Sequence, residues 1–169
     1  TPPKHYTIET LNNYLKNLNR IEFVVTMACT GRCKHCSQGE HISSDRIDKD
    51  LAVNAICKIS KEYNINSVMT FGGEPLLCFE TVCAIQNAAK ELNIPLRQLI
   101  TNGYFSKDYE KINYVAQMLI DSGVNEILLS VDAFHQETIP LEYVKVFAKA
   151  VKKQNVKLYV HPAWLVSSD

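Results

Sequence analysis

The chain has 169 residues, and its 18 Lys plus Arg are balanced by 18 Asp plus Glu, so no global field draws it to nucleic acid or an anionic membrane. With 46% hydrophobic and 21% charged residues and no apolar run near the roughly 18 residues of a membrane span, disordered, collagen-like and membrane classes are excluded. Six cysteines are many for a reducing compartment and few for a disulfide scaffold, and no basic-then-apolar leader opens the chain. A cytoplasmic protein is therefore expected, and cysteine spacing decides what the thiols do.

In chain order, Ile8, Leu11, Leu15 and Leu18 recur at helical spacing after Pro2 and Pro3, which predicts a helix. Residues 1–20 read as an N-terminal helical extension ahead of a core domain over 21–169. Five short apolar runs follow, at 21–27, 67–71, 97–101, 126–131 and 156–160, each of the length of a strand buried on both faces. Helix-period stripes fill the gaps between them. They are Ile47, Leu51, Ala55, Ile56 and Ile59; Phe79, Val82, Cys83 and Ala89; Ile112, Val115, Ala116 and Leu119; and Val144, Phe147, Ala148 and Val151. Alternating strand and helix predicts an α/β fold of parallel strands joined by right-handed crossovers, either a doubly wound open sheet or part of a barrel.

In both architectures chemistry gathers at the carboxyl ends of the strands. After the first run stands Cys29-Thr30-Gly31-Arg32-Cys33-Lys34-His35-Cys36, and after the second Gly72-Gly73-Glu74-Pro75. After the third, fourth and fifth stand Asn102-Gly103, Asp132-Ala133-Phe134-His135 and His161-Pro162. Three close thiols in a reduced compartment bind metal, and three is one fewer than a closed zinc or iron–sulfur site takes. Either a distant fourth ligand completes the site, such as His35 or His41 for zinc, or one metal stays open to an outside molecule; cysteines that bind nothing are the bland reading. Gly72 and Gly73 permit unusual backbone angles and close approach of a ligand, with the negative charge of Glu74 beside them, a setting that suits an ammonium group. A plain Gly-Gly turn with a solvated Glu is the alternative for that tetrapeptide.

The Cys-x3-Cys-x2-Cys loop after a first strand, followed by Gly-Gly-Glu-Pro after the second, resembles the radical S-adenosylmethionine (radical SAM) enzyme superfamily. The resemblance implies a partial (β/α) barrel of six strand–helix units, of which five strands are visible here, so a sixth strand is expected beyond Asp169 and the core is read as incomplete at its C-terminus. It also implies a 4Fe–4S cluster on Cys29, Cys33 and Cys36, with the open iron chelated by the amino and carboxylate groups of S-adenosylmethionine. Reductive cleavage then yields a 5'-deoxyadenosyl radical that takes hydrogen from a substrate, a peptide, protein or small molecule. A flavodoxin or ferredoxin is the implied electron donor, with no nucleic acid or membrane partner.

Residue by residue, the resemblance implies that His35 packs near the adenine, where an aromatic residue is usual, and that Gly72, Gly73 and Glu74 meet the methionine amino group, largely through backbone carbonyls. Ser130 takes the place of a polar side chain that bonds the ribose or carboxylate, and Asn102 resembles a frequent third-strand ending, although Gly103 explains a turn there as well. Asp132 and His135 are candidates for substrate binding or proton movement, an Asp at a loop start being also an ordinary helix cap, and His161 faces the same mouth. Cys57 and Cys83 read as small buried hydrophobes, and Cys78 as core, a substrate-side thiol or an additional cluster ligand. A cluster- or zinc-holding module without catalysis remains the alternative function.

Overall fold

The computed structural model describes residues 17–36, 39, 43–154 and 156–163. The expected N-terminal helix, apart from Leu18, lies outside them, as does His41. Five strands form one parallel sheet in the order β1 (Arg20–Val24), β2 (Ser67–Phe71), β3 (Leu96–Thr101), β4 (Glu126–Leu129) and β5 (Lys157–Val160). Between them run α1 (Lys49–Glu62), α2 (Phe79–Glu91), α3 (Tyr109–Asp121), α4 (Ala133–Gln136) and α5 (Leu141–Lys152). A doubly wound sheet reverses its strand order partway, whereas here the spatial order is the chain order. Crossovers of one hand then lay all the long helices on one face, and successive helices pack side by side, α1 on α2, α2 on α3 and α3 on α5. This is the geometry of a partial barrel.

The apolar runs predict strands covered on both faces, and the structure corrects this at the edges. In β1, Phe23 is buried under the helices while Glu22 and Val24 face outward and are exposed. In β5, Tyr159 and Val160 are exposed as well. The helix-bearing face is continuous core, with Val68, Leu99 and Ile127 of β2 to β4 fully buried with Ile56, Ile85, Leu119 and Phe147 of the helices. The opposite face is the concave side of the partial barrel, where Arg20 reaches across Ser67, Met69 and Gln98.

Caps set the helix starts. Asp48 accepts from Leu51 N to open α1, Asp108 from Glu110 N to open α3, and Asp132 from His135 N to open α4. The first run is shorter than expected because residues 45–47 cross its end. Thr26 and Arg46 form an antiparallel bridge, with Met27 N donating to Asp45 O at 2.9 Å and Ile47 N to Val25 O at 3.0 Å.

Candidate active site at the strand ends

The cysteine loop leaves β1 beside the end of β2, and the two glycines make that approach possible. A Cβ on Gly72 would stand 2.4 Å from Thr26 O, and one on Gly73 2.2 Å from Ala28 O. Gly73 N donates to Thr26 O at 2.8 Å and Glu74 N to Ala28 O at 2.7 Å. The glycines were expected to admit a ligand to the backbone; the chain's own segment 26–28 occupies the side where a Cβ would stand, while the pair still lines the cavity on its other side.

Glu74 departs further from expectation. Its carboxylate is fully buried and turned to β3, where it accepts from Leu76 N at 3.0 Å, Thr101 Oγ1 at 2.7 Å and Asn102 N at 2.8 Å. Burial nevertheless pushes its pKa up to about 7, against the lowering effect of those three donors. The side chain thus locks the end of β2 to the end of β3, and any contact it offers a ligand in the cavity comes from its backbone.

Asn102 carries that lock onward to the cysteine loop. Its Nδ2 lies 3.7 Å from Cys29 Sγ and 3.2 Å from Thr30 Oγ1, and its Oδ1 accepts from Tyr104 N at 2.8 Å. Gly103 beside it has φ +73°, as a turn at this position requires. Cys29 Sγ also accepts from Gly31 N at 3.3 Å, and Thr30 Oγ1 donates to Tyr104 O at 2.6 Å. On its other side the loop rests on the segment after α4, with Arg32 N donating to Thr138 Oγ1 at 3.0 Å and Ile139 packed on Gly31.

A cavity of about 390 Å³ opens at this end of the sheet, lined by Cys29, Cys33 and Cys36, by Gly72, Gly73, Asn102 and Ser130, and by His35, His135 and His161. Of the residues singled out at the strand ends, Glu74 and Asp132 are not among those that line it. Burial raises the thiol of Cys29, and raises that of Cys33 to about 11 with help from the neighbouring Cys29 and Cys36, so a cation is what would draw thiolates from this loop. Cys78, just ahead of α2, and Cys83, within it, are buried in the core and are not among the residues that line the cavity, as the core reading of both expects.

Sequence reasoning did not foresee how Asp132 and His135 combine. Asp132 Oδ1 caps α4 through His135 N, and Asp132 Oδ2 lies 2.7 Å from His135 Nδ1 and accepts from Ala163 N at 2.9 Å. Burial raises this carboxyl, but the Ala163 and His135 N–H donors and the imidazole outweigh it and hold the pKa at about 2. The spacing Asp-x-x-His at a helix start was the available signal.

Comparison with known proteins gives this geometry its context. Curated relatives include a probable GTP 3',8-cyclase of Methanocaldococcus jannaschii, 28% identical over 123 residues, covering 72% of this chain and 39% of the relative. Molybdenum cofactor biosynthesis protein 1 of Dictyostelium discoideum is 26% identical over 149 residues, covering 81% and 22%. The chain thus spans less than half the length of these relatives. The fold is similar to that of Streptococcus suis SuiB bound to precursor peptide SuiA, with TM-score 0.67 and 18% identity over 90% of this chain and 34% of that one. It is also similar to histidine-tagged anSMEcpe with bound AdoMet, with TM-score 0.62 and 19% identity over 84% and 42%. The family model for the radical SAM superfamily, whose members bind a 4Fe–4S cluster and S-adenosylmethionine, matches residues 23–160. That match takes in all five strand ends around the cavity, and the chain belongs to the radical SAM superfamily.

Proposed function

We propose that this chain is the radical-generating core of an enzyme, with Cys29, Cys33 and Cys36 as the ligands of a 4Fe–4S cluster. The backbone of Gly72, Gly73 and Glu74, together with His35, Asn102 and Ser130, binds S-adenosylmethionine beside it. When bound and reduced, this pair supplies a 5'-deoxyadenosyl radical for hydrogen abstraction from substrate. The observation that carries the reading is the meeting of three thiols, the glycine pair, Asn102 and Ser130 around one cavity at the carboxyl ends of the strands.

The donor set fits such a cluster. Three thiols close in sequence on one loop supply the three protein ligands of a cluster whose fourth iron stays open. The N–H donors of Gly31 and Asn102 that face Cys29 Sγ stabilise a thiolate there, as outer-shell partners of metal ligands do. The walls do the rest of the work of this protein: they fix the loop against β3 and the segment after α4, and they line the cavity with apolar Phe71 and Ile100, which limit water around a reactive species. A flavodoxin or ferredoxin is the proposed electron donor. GTP is the first substrate to try, since it is named in the curated relatives.

Anaerobic reconstitution with iron and sulfide tests the reading. The expected product is a brown protein that, once reduced, cleaves S-adenosylmethionine to 5'-deoxyadenosine and methionine. Cys29→Ala, Cys33→Ala or Cys36→Ala should abolish both iron retention and cleavage, while Cys57→Ala leaves them unchanged. A reducible cluster that leaves the cofactor intact, or a colourless protein that retains one zinc and unfolds with chelator, would favour the non-catalytic module.

A further inference from the structure

His35 reaches the cavity from the cysteine loop and meets two residues of the segment after β4. Its ring centroid lies 5.0 Å from that of His135, nearly edge-on at 77°, and 4.8 Å from that of Phe134. Its Nδ1 is buried and has no hydrogen-bond partner. A buried ring nitrogen without a partner carries an uncompensated desolvation cost, which a ligand at that atom would relieve. Two groups suited to share such a ligand stand beside it. Donor atoms of His35, Asp132 and His135 all lie within 4.8 Å of one another, the one such group of three among the described residues.

We propose that His35, Asp132 and His135 form a second metal site, distinct from the three-cysteine site, that takes a divalent first-row cation such as iron(II), manganese(II) or zinc. Two imidazoles and one carboxylate are a donor set that such ions accept, with the remaining positions open to water. His135 Nδ1 and Asp132 Oδ2 are 2.7 Å apart, near the roughly 3.0 Å between adjacent ligands at bonds of about 2.1 Å. The cation takes the place of the proton these two atoms share: the Nδ1–H bond breaks, the proton leaves to solvent, and metal–nitrogen and metal–oxygen bonds form without any change of oxidation state. The Asp132 carboxyl, held at about 2, is already ionised at every working pH. Its two remaining hydrogen bonds, from His135 N and Ala163 N, hold it in place as outer-shell donors hold other ligating carboxylates. Ligation at a ring nitrogen uses the edge of the His35 ring rather than its face.

The test is a manganese(II) titration of the reconstituted, cluster-loaded chain, followed by the electron paramagnetic resonance of free Mn(II). Manganese is the probe because it prefers nitrogen and oxygen donors and leaves cysteine thiolates alone. One saturable site per chain is expected, with the cluster absorbance unchanged. His135→Ala and Asp132→Asn should each weaken it by at least about 100-fold, while His161→Ala leaves it intact. Thermal melts of the variants show that they remain folded, and His135→Gln serves if His135→Ala does not. No saturable binding, equal binding in a folded His135 variant, or an equal loss in His161→Ala overturns the assignment.

Discussion

The three donors to the Glu74 carboxylate, Leu76 N, Thr101 Oγ1 and Asn102 N, favour its charge, and full burial opposes them. Burial wins, and the pKa stands near 7 where an unfolded chain would have 4.5. Between these values the native state holds a proton that the unfolded state has released. Stability therefore falls as pH rises from 4.5 to 7, by on the order of 3 kcal/mol, and is flat above. Glu74→Gln cannot titrate, so urea unfolding across pH 5 to 8 should show this decline in the wild type and lose it in the variant. The variant carries a constant penalty of its own, about 1–3 kcal/mol, because a Gln amide must point its NH2 at one of the two backbone N–H donors. The difference in slope is the diagnostic, and parallel pH curves would place the charge elsewhere. Nothing in the spacing of Gly-Gly-Glu-Pro says which way its side chain turns. The inward turn follows from packing between β2 and β3, which the linear pattern does not encode.

Elements were more legible than residues. Long helices and buried strands have a period, and the stripes Ile112, Val115, Ala116, Leu119 and Val144, Phe147, Val151 are the buried faces of α3 and α5. The 3-10 turn Pro75–Cys78 and α4 are only four residues each and carry no period to detect. Strand ends were less legible for a related reason. Met27 continues an apolar run, but its backbone pairs with Asp45, a partner that only the fold brings close. The stripe of α5 also supports the site: a Cβ on Gly103 would meet Leu129, Val144 and Phe147, so this helix packs directly beneath the Asn102-Gly103 turn. Phe147 is fully buried and meets Phe105, from the loop after β3, edge-to-face at 5.7 Å. Phe147→Ala should cost about 3–5 kcal/mol in urea unfolding, the loss of burial plus a cavity. A loss below about 1 kcal/mol would mean that the turn and helix collapse together without strain.

At the scale of the whole molecule, the sheet is open and the cavity lies at the carboxyl ends of its strands. Strand order alone separates this partial barrel from a doubly wound sheet, and no periodicity in the sequence reports strand order. The cysteine loop spans the opening, tied to the turn after β3 through Thr30 and Tyr104 and to the segment after α4 through Arg32 and Thr138. A ligand held at that loop therefore binds only where β1, β3 and β4 are in register, and it stabilises the native state by mass action. For a ligand that ignores the unfolded chain, a concentration a hundred times Kd adds about 2.7 kcal/mol. S-adenosylmethionine at that excess should raise the unfolding free energy of the cluster-loaded chain by this amount, read as a higher urea midpoint with unchanged slope. In Cys36→Ala, which lacks one of the three proposed ligands, the same concentration should leave the midpoint where it is. A shift of equal size in that variant would mean that the cofactor is held by the strand-end backbone alone, with no contribution from the three-cysteine loop.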